Sequence, residues 1–523
     1  MIRKLLTARV DLLWFGGIGT HVKASAETHA EAGDRVDDGL RVNGDEIRAK
    51  VVGEGANLAV TQRGRVAFAL AGGRINTDAI DNSAGVDTSD HEVNIKILLD
   101  HAIAAGALAA EERDPLLATM AGDVASLVLR DNYLQGEALS IAEARGAGSL
   151  DRQQRMIREL ERSGRLNRAL EFLPDDETLA ARSAQGRGLV RPELAVLLAY
   201  AKMTLYEELL ASTLPDIPEL AEELSGYFPA AMRDRLGAQI ATHPLRREII
   251  ATVVTNDVVN RARITFVHDL RARTGRSAPD IARAYIIVRE VFGLRDLWRE
   301  IEALDNRVAA QVQIEMLLEI GELIECAASW LLNRKRLEIG SEVDRLGPSI
   351  RSLAASLFEL LPVPDRNLVA VRSRGLTDAS VPEALAARVA GTAFLSAALD
   401  IADLAERSRQ PLDRAARIYY GVGAQFALDE LKTAARRLRA VTPWQKQAVE
   451  ATIDDLLGLQ AGLAERILSS DNAGQADPFS AWSAAHEAEL TLMEPLMREL
   501  RAATTPDLAM LVVATRQLRH ALG

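Results

Sequence analysis

Val51-Val52-Gly53-Glu54-Gly55-Ala56-Asn57, followed by Asn82-Ser83-Ala84-Gly85-Val86-Asp87-Thr88-Ser89, decides how this chain is read. Each stretch sets small residues and an amide side chain just past an apolar, strand-like run. In an open parallel sheet, ligands sit outside the carboxyl ends of the strands. Small residues there let a ligand approach the backbone, and an Asn amide both donates and accepts hydrogen bonds. The two stretches together are a candidate binding site.

The flanking sequence fits that setting. Residues 10–15 read as a buried strand closed by Gly16-Gly17-Ile18-Gly19, and residues 49–53 as a second strand. Residues 65–71 read as a short helix, 74–77 as a third strand and 89–105 as a helix. This alternation predicts parallel strands with helical crossovers. Residues 26–43 are polar and acidic and run into the turn signal Asn43-Gly44, which predicts a surface insertion.

From residue 106 onward the pattern is helical. Ile281, Tyr285, Val288 and Phe292 recur on one helix face, behind a cap at 277–280. Arg191-Pro192-Glu193 opens another helix. Thr442-Pro443-Trp444-Gln445 has a capping-box arrangement, and Thr505-Pro506-Asp507 opens a last helix with Leu508, Leu511, Val512 and Leu518 as its apolar stripe. Breaks fall at 146–149, 186–188 and 362–364. The predicted fold is α/β followed by mainly α. Residues 1–105 form a partial, Rossmann-like dinucleotide-binding domain and residues 106–523 a helical region. Because roughly 400 helical residues need more than one core, two helical subdomains divided near 340–370 are expected.

Composition narrows the function. The 523 residues are 48% hydrophobic but only 4% aromatic, and rich in Ala, Leu, Arg and Glu, which favours helix. The net charge of −12 argues against a nucleic-acid partner, which needs a basic face. Short pairs such as Arg246-Arg247 and Arg436-Arg437 read as solvated helix faces. The single cysteine, Cys326, excludes an internal disulfide and reads as a buried structural thiol in a reducing compartment. Arg9 and Asp11 interrupt any signal-like core, and no run reaches the roughly 18 apolar residues of a membrane helix. The expectation is a soluble, cytoplasmic chain with no membrane partner.

Familiar motifs fail. Gly16-Gly17-Ile18-Gly19 follows a strand, but the third glycine of a dinucleotide fingerprint would fall at Val22, so it reads as a loop that could line a site. His91-Glu92-Val93-Asn94 is not a zinc-binding H-E-x-x-H, because Ile95 follows. The eight histidines show no metal-ligand spacing, so no metal is expected. No nucleophile elbow or phosphate loop occurs. Asn57, Asn82 and Ser89 remain. Singly, each is a turn or cap residue, and Ser89 could cap the helix after it. Together, at consecutive strand ends of one sheet, they would face one crevice.

These residues carry a resemblance. Gly53-Glu54-Gly55-Ala56-Asn57 resembles the E-G-A-N segment of glutamate dehydrogenases, and 82–92 resembles their N-A-G-G-V-x-x-S-x-x-E segment, with Ser83 and Ala84 replacing Ala and Gly. Residues 15–23 and 73–79 are similar to the large bacterial NAD-specific members, which also carry a long helical C-terminal region. The resemblance implies the C-terminal half of a doubly wound nucleotide-binding domain plus that helical region. It implies NAD as cofactor, with Gly55 and Asn57 near the nicotinamide-side ribose, Asn82 on the nicotinamide carboxamide and Ser89 on the glutamate side-chain carboxylate. It implies L-glutamate converted to 2-oxoglutarate and ammonia, in a homo-oligomer, a tetramer. The family's Gly-rich lysine segment, aspartate and phosphate-binding turn have no match here. No catalytic residue is therefore assigned, the chain reads as a portion cut inside the nucleotide domain, and alone it is expected to be inactive. The rival expectation is a helical oligomerisation or regulatory module with a remnant of the nucleotide domain.

Overall fold

The computed structural model describes residues 1–334, 336–438, 443–470, 478–488, 490–491, 495, 498–499 and 507–522. Thr442, Thr505 and Pro506, and the side chains of Arg436, Arg437 and Pro443, lie outside the described residues. The chain is mostly helical, and its contacts divide it into two compact units. The first comprises 1–286 with 331–339, and the second 287–330 with 340–523. Residues 1–105 lie wholly in the first.

Four short strands open the first unit. Strand β1 (Leu12–Phe15) runs parallel to β4 (Val51–Glu54), with Leu12 opposite Val51 and Phe15 opposite Glu54. Strands β2 (Val22–Lys23) and β3 (Val42–Asn43) form a second parallel pair. The parallel alternation expected around the two asparagines is therefore present as two-stranded pieces. The third strand expected at 74–77 shrinks to one bridge, in which Arg74 bonds the backbone of Val52 and Lys50 at 2.9 and 3.0 Å. Beyond the bridge the Asn76 side chain is committed elsewhere. Its amide nitrogen donates to Asp81 at 2.7 Å and its oxygen accepts from Arg191 at 2.8 Å. The chain turns into the short helix Asp78–Asp81 before a ladder can form.

Two further expectations change. Strand β1 is not buried: Leu12 and Trp14 are 56% and 57% exposed, because β1 bonds one neighbour and only Phe15, with the partly buried Leu13, reaches the core. The 26–43 segment is more than a surface insertion. Val42 is buried in β3, and the buried Arg41 guanidinium donates to the carbonyls of Thr20, Gly33 and Asp34 and to the Asp38 carboxylate at 2.6–2.8 Å. One satisfied cation folds a polar stretch into a compact excursion. The core under these strands is Val22, Val42, Val52, Ala59, Val60, Phe68 and Ile75.

Five helices of this unit matter for the site: α1 (Gln62–Leu70), α2 (Ser83–Ala104), α3 (Arg113–Ala144), α4 (Arg191–Leu210) and α5 (Arg246–Arg261). Thr61 caps α1 by accepting from the Gly64 amide at 3.0 Å. The start of α4 was legible: Pro192 occupies its first turn and Glu193 accepts from the Val190 amide at 2.9 Å. Helix α2, however, begins at Ser83 and not near 89. Asn132 of α3 holds that start, donating to Ile80 O at 2.7 Å and Ser83 Oγ at 2.9 Å. Ser89 thus lies inside the helix, its hydroxyl donating to Gly85 O at 3.1 Å, which rules out the capping role.

In the second unit, Pro362 stands before the helix Val363–Asp378, as the break at 362–364 anticipated. Asp400 accepts there from the Trp330 indole at 2.6 Å. Cys326 is only partly buried. No single helix among the described residues is long and apolar enough to cross a membrane.

One tight ion pair beneath the strands is buried. Glu54 is 0% and Arg65 3% exposed, and they meet at 2.6 and 3.0 Å. Removing one partner of such a pair leaves an uncompensated buried charge, which costs about 3–5 kcal/mol. Arg65→Met should therefore lower the urea-unfolding free energy of the first unit by about that amount; an unchanged midpoint would contradict this role.

Candidate functional site

The loop after β4 is held by carboxylates. Glu54 accepts from the Val60 amide at 3.0 Å while its own amide donates to Asp81 at 3.0 Å. The Leu58 amide donates to Asp78 at 2.8 Å, and Arg65 reaches the same aspartate at 3.1 Å. Both ends and the middle of 54–60 are therefore fastened. Burial pushes the Glu54 carboxyl upward, and the Arg65 guanidinium and Val60 amide oppose that push.

The glycines have a local reason. The Trp14 ring lies across them: a Cβ would stand 2.6 Å from it at Gly53 and 2.5 Å at Gly55. Gly55 is exposed, and the space it leaves is taken by Trp14.

The fastened loop presents Asn57, whose side-chain oxygen accepts a short hydrogen bond from Asn82 Nδ2. The two residues, 25 apart in sequence, stand on the rim of a cleft of about 490 Å³. Asp87 of α2, Asp131 of α3, Lys202 of α4 and Asn256 of α5 line it with them. The structure therefore brings together Asn57 and Asn82 of the four sequence candidates. Ser89 is exposed and outside the lining, one face away on α2, and Gly55 is also outside it.

Sequence reasoning missed the charged lining. Burial lowers the Lys202 ammonium to about 8, against the attraction of Asp131 and Asp87. Burial pushes Asp87 up to about 6, with repulsion from Asp131 and Asp90 adding to it, and burial raises Asp131 as well. Displaced titrations of this kind gather where chemistry or binding is done. A signal existed: Lys202 interrupts the apolar stretch Leu197-Leu198-Ala199-Tyr200-Ala201, where a solvated helix face would carry more charge. Asp131 gave none, being one acid in a mixed helix.

Comparison with known proteins gives the family. Residues 186–520 match the family model described as glutamate dehydrogenase, C-terminal. The chain belongs to the glutamate dehydrogenase family. Residues 1–142, which hold both asparagines, match the model for the catalytic domain of bacterial NAD-glutamate dehydrogenase. The chain is 44% identical over 522 residues to the NAD-specific glutamate dehydrogenase of Pseudomonas aeruginosa. It is 40% identical to that of Halomonas elongata and 39% to that of Mycobacterium tuberculosis. Each match covers 99% of this chain, and the chain spans 32% of the length of each relative.

The lysine sets a test by pH. A lysine ammonium held near 8, against an ordinary 10.5, is disfavoured by folding at neutral pH. Stability then rises between pH 8 and 10.5, where the unfolded chain holds the extra proton. Lys202→Met should stabilise the chain at pH 7 by about 1–2 kcal/mol, with the gain fading as pH rises from about 8 and gone above 10.5. Thermal melts across that range check it, and a destabilised variant at pH 7 would contradict the burial argument.

Proposed function

We propose that this chain contributes the nicotinamide side of the active site of an NAD-dependent glutamate dehydrogenase, which converts L-glutamate to 2-oxoglutarate and ammonia. The observation that carries the reading is the meeting of Asn57 and Asn82 at the rim of one cleft. Paired neutral amides offer both donors and acceptors without charge, which suits a carboxamide and ribose hydroxyls. The cleft volume lies within the range of small-molecule sites. The residues present therefore fit a nicotinamide nucleoside.

Asn82 would hold the carboxamide and so fix which ring face meets the substrate. Asn57 would hold the adjacent ribose. NAD, when bound, supplies the hydride acceptor, and the protein's share is orientation. Lys202 offers its charge to a substrate carboxylate inside the cleft. Ser89, one face away, would serve a carboxylate only after releasing Gly85. The parallel pair β1–β4, with its bridge to Arg74, is read as part of a doubly wound nucleotide-binding domain followed by the helical region. The working form is proposed to be a cytoplasmic homo-oligomer.

Kinetics of the complete polypeptide that carries these residues test this. Asn82→Ala should raise the KM for NAD about tenfold, or about 1.4 kcal/mol, with little change in Tm. Ser89→Ala and Lys202→Met should raise the KM for glutamate. An Asn82→Ala enzyme with normal NAD kinetics, or one that only loses stability, would overturn the assignment.

A further inference from the structure

One cluster beside the cleft is not explained by a nucleotide or an amino acid. Asp87 and His91 stand one turn apart on α2, and Asp131 faces them from α3. One carboxylate oxygen from each aspartate and one ring nitrogen of His91 lie within 4.8 Å of one another. His91 is only 2% exposed, yet neither ring nitrogen has a hydrogen-bond partner. Its Nε2 is 3.9 Å from the nearer Asp87 oxygen, beyond hydrogen-bond reach, and the other Asp87 oxygen is also buried without a partner.

The imidazole is held in place without using its nitrogens. It stacks on Tyr227 with ring centroids 4.2 Å apart, and the Tyr227 hydroxyl accepts from Asn94 at 2.9 Å. A buried polar atom left unpaired costs about 1–3 kcal/mol. An imidazole can satisfy itself with a carboxylate by closing a gap of about an ångström, yet here the three donor groups lie within 4.8 Å of one another without bonding. Lys202 is near enough to act on both carboxylates electrostatically, but it forms no hydrogen bond or ion pair with them among the described residues. Three electron-pair donors so placed suit a small cation.

We propose that Asp87, His91 and Asp131 bind a divalent first-row transition-metal ion. One imidazole nitrogen and two carboxylate oxygens suit Mn²⁺, Co²⁺ and Zn²⁺. The i, i+4 pair supplies two ligands from one helix face, and the facing helix supplies the third. Ligand bonds of about 2.0–2.2 Å require the donors to draw closer than they stand, which small rotations of the two aspartate side chains provide. Asp87 and Asp131 also line the cleft, so the remaining coordination positions open toward it and are filled by water or by a ligand there. This assignment does not depend on NAD or glutamate binding.

Cobalt titration of the metal-free chain, read by visible absorption and by equilibrium dialysis, tests the site. One Co²⁺ per chain should bind, and Zn²⁺ should displace it. His91→Ala and Asp131→Asn should each weaken binding at least tenfold with the far-ultraviolet circular dichroism unchanged. Asp131→Asn keeps the side-chain shape, so a folded variant is available even if His91→Ala unfolds. Lys202→Met should tighten binding, because it removes a competing cation. No Co²⁺ or Zn²⁺ uptake at millimolar metal, or uptake that both ligand variants retain, would overturn the proposal.

Discussion

The buried ion pair between Glu54 and Arg65 is the contact on which the geometry of the site depends. It links the last residue of β4 to α1, and Arg65 continues to Asp78 at 3.1 Å. Asp78 in turn fixes the Leu58 amide, and Asp81 fixes the Glu54 amide. Two loops from different parts of the sequence are thereby tied at one point, and Asn57 and Asn82 meet because of it. A buried pair with its remaining acceptors satisfied contributes little net stability, but breaking it is costly. It acts here as a positioning device.

Around that device the protein tolerates unfavourable burial. Lys202, Asp87 and Asp131 all titrate away from their ordinary values because the helices that carry them converge on one cleft. A core built only for stability would replace such groups with apolar side chains. The same convergence explains why His91, fixed by Tyr227, is left with both nitrogens unpaired beside two acids. The proposed binding role and stability pull against each other at this place, as they commonly do at functional sites.

Much of this was legible. The pairing of 51–57 with 82–89 came from amides and small residues past strand-like runs, and the structure joins Asn57 to Asn82. The cap at Arg191-Pro192-Glu193 and the break at 362–364 were also read correctly, because proline geometry is local. What was missed depends on tertiary contact. The start of α2 is set by Asn132, 49 residues beyond Ser83, so Ser89 looked like a cap. The glycines looked like room for a ligand, but Trp14 fills that room. The H-E-x-x-H pattern runs forward from His91 and ends at Ile95, whereas the acidic neighbours of His91 lie one turn back at Asp87 and across at Asp131. Lys202 and Asp131 reach the cleft only through helix packing, which single-sequence periodicity does not specify.

The most direct test is a structure of the complete polypeptide with NAD and a glutamate analogue bound. The account predicts the nicotinamide in the cleft, its carboxamide on Asn82, its ribose on Asn57 and a substrate carboxylate toward Lys202. Nucleotide bound elsewhere, with Asn57 and Asn82 still bonded to each other and the cleft holding only solvent, would contradict it.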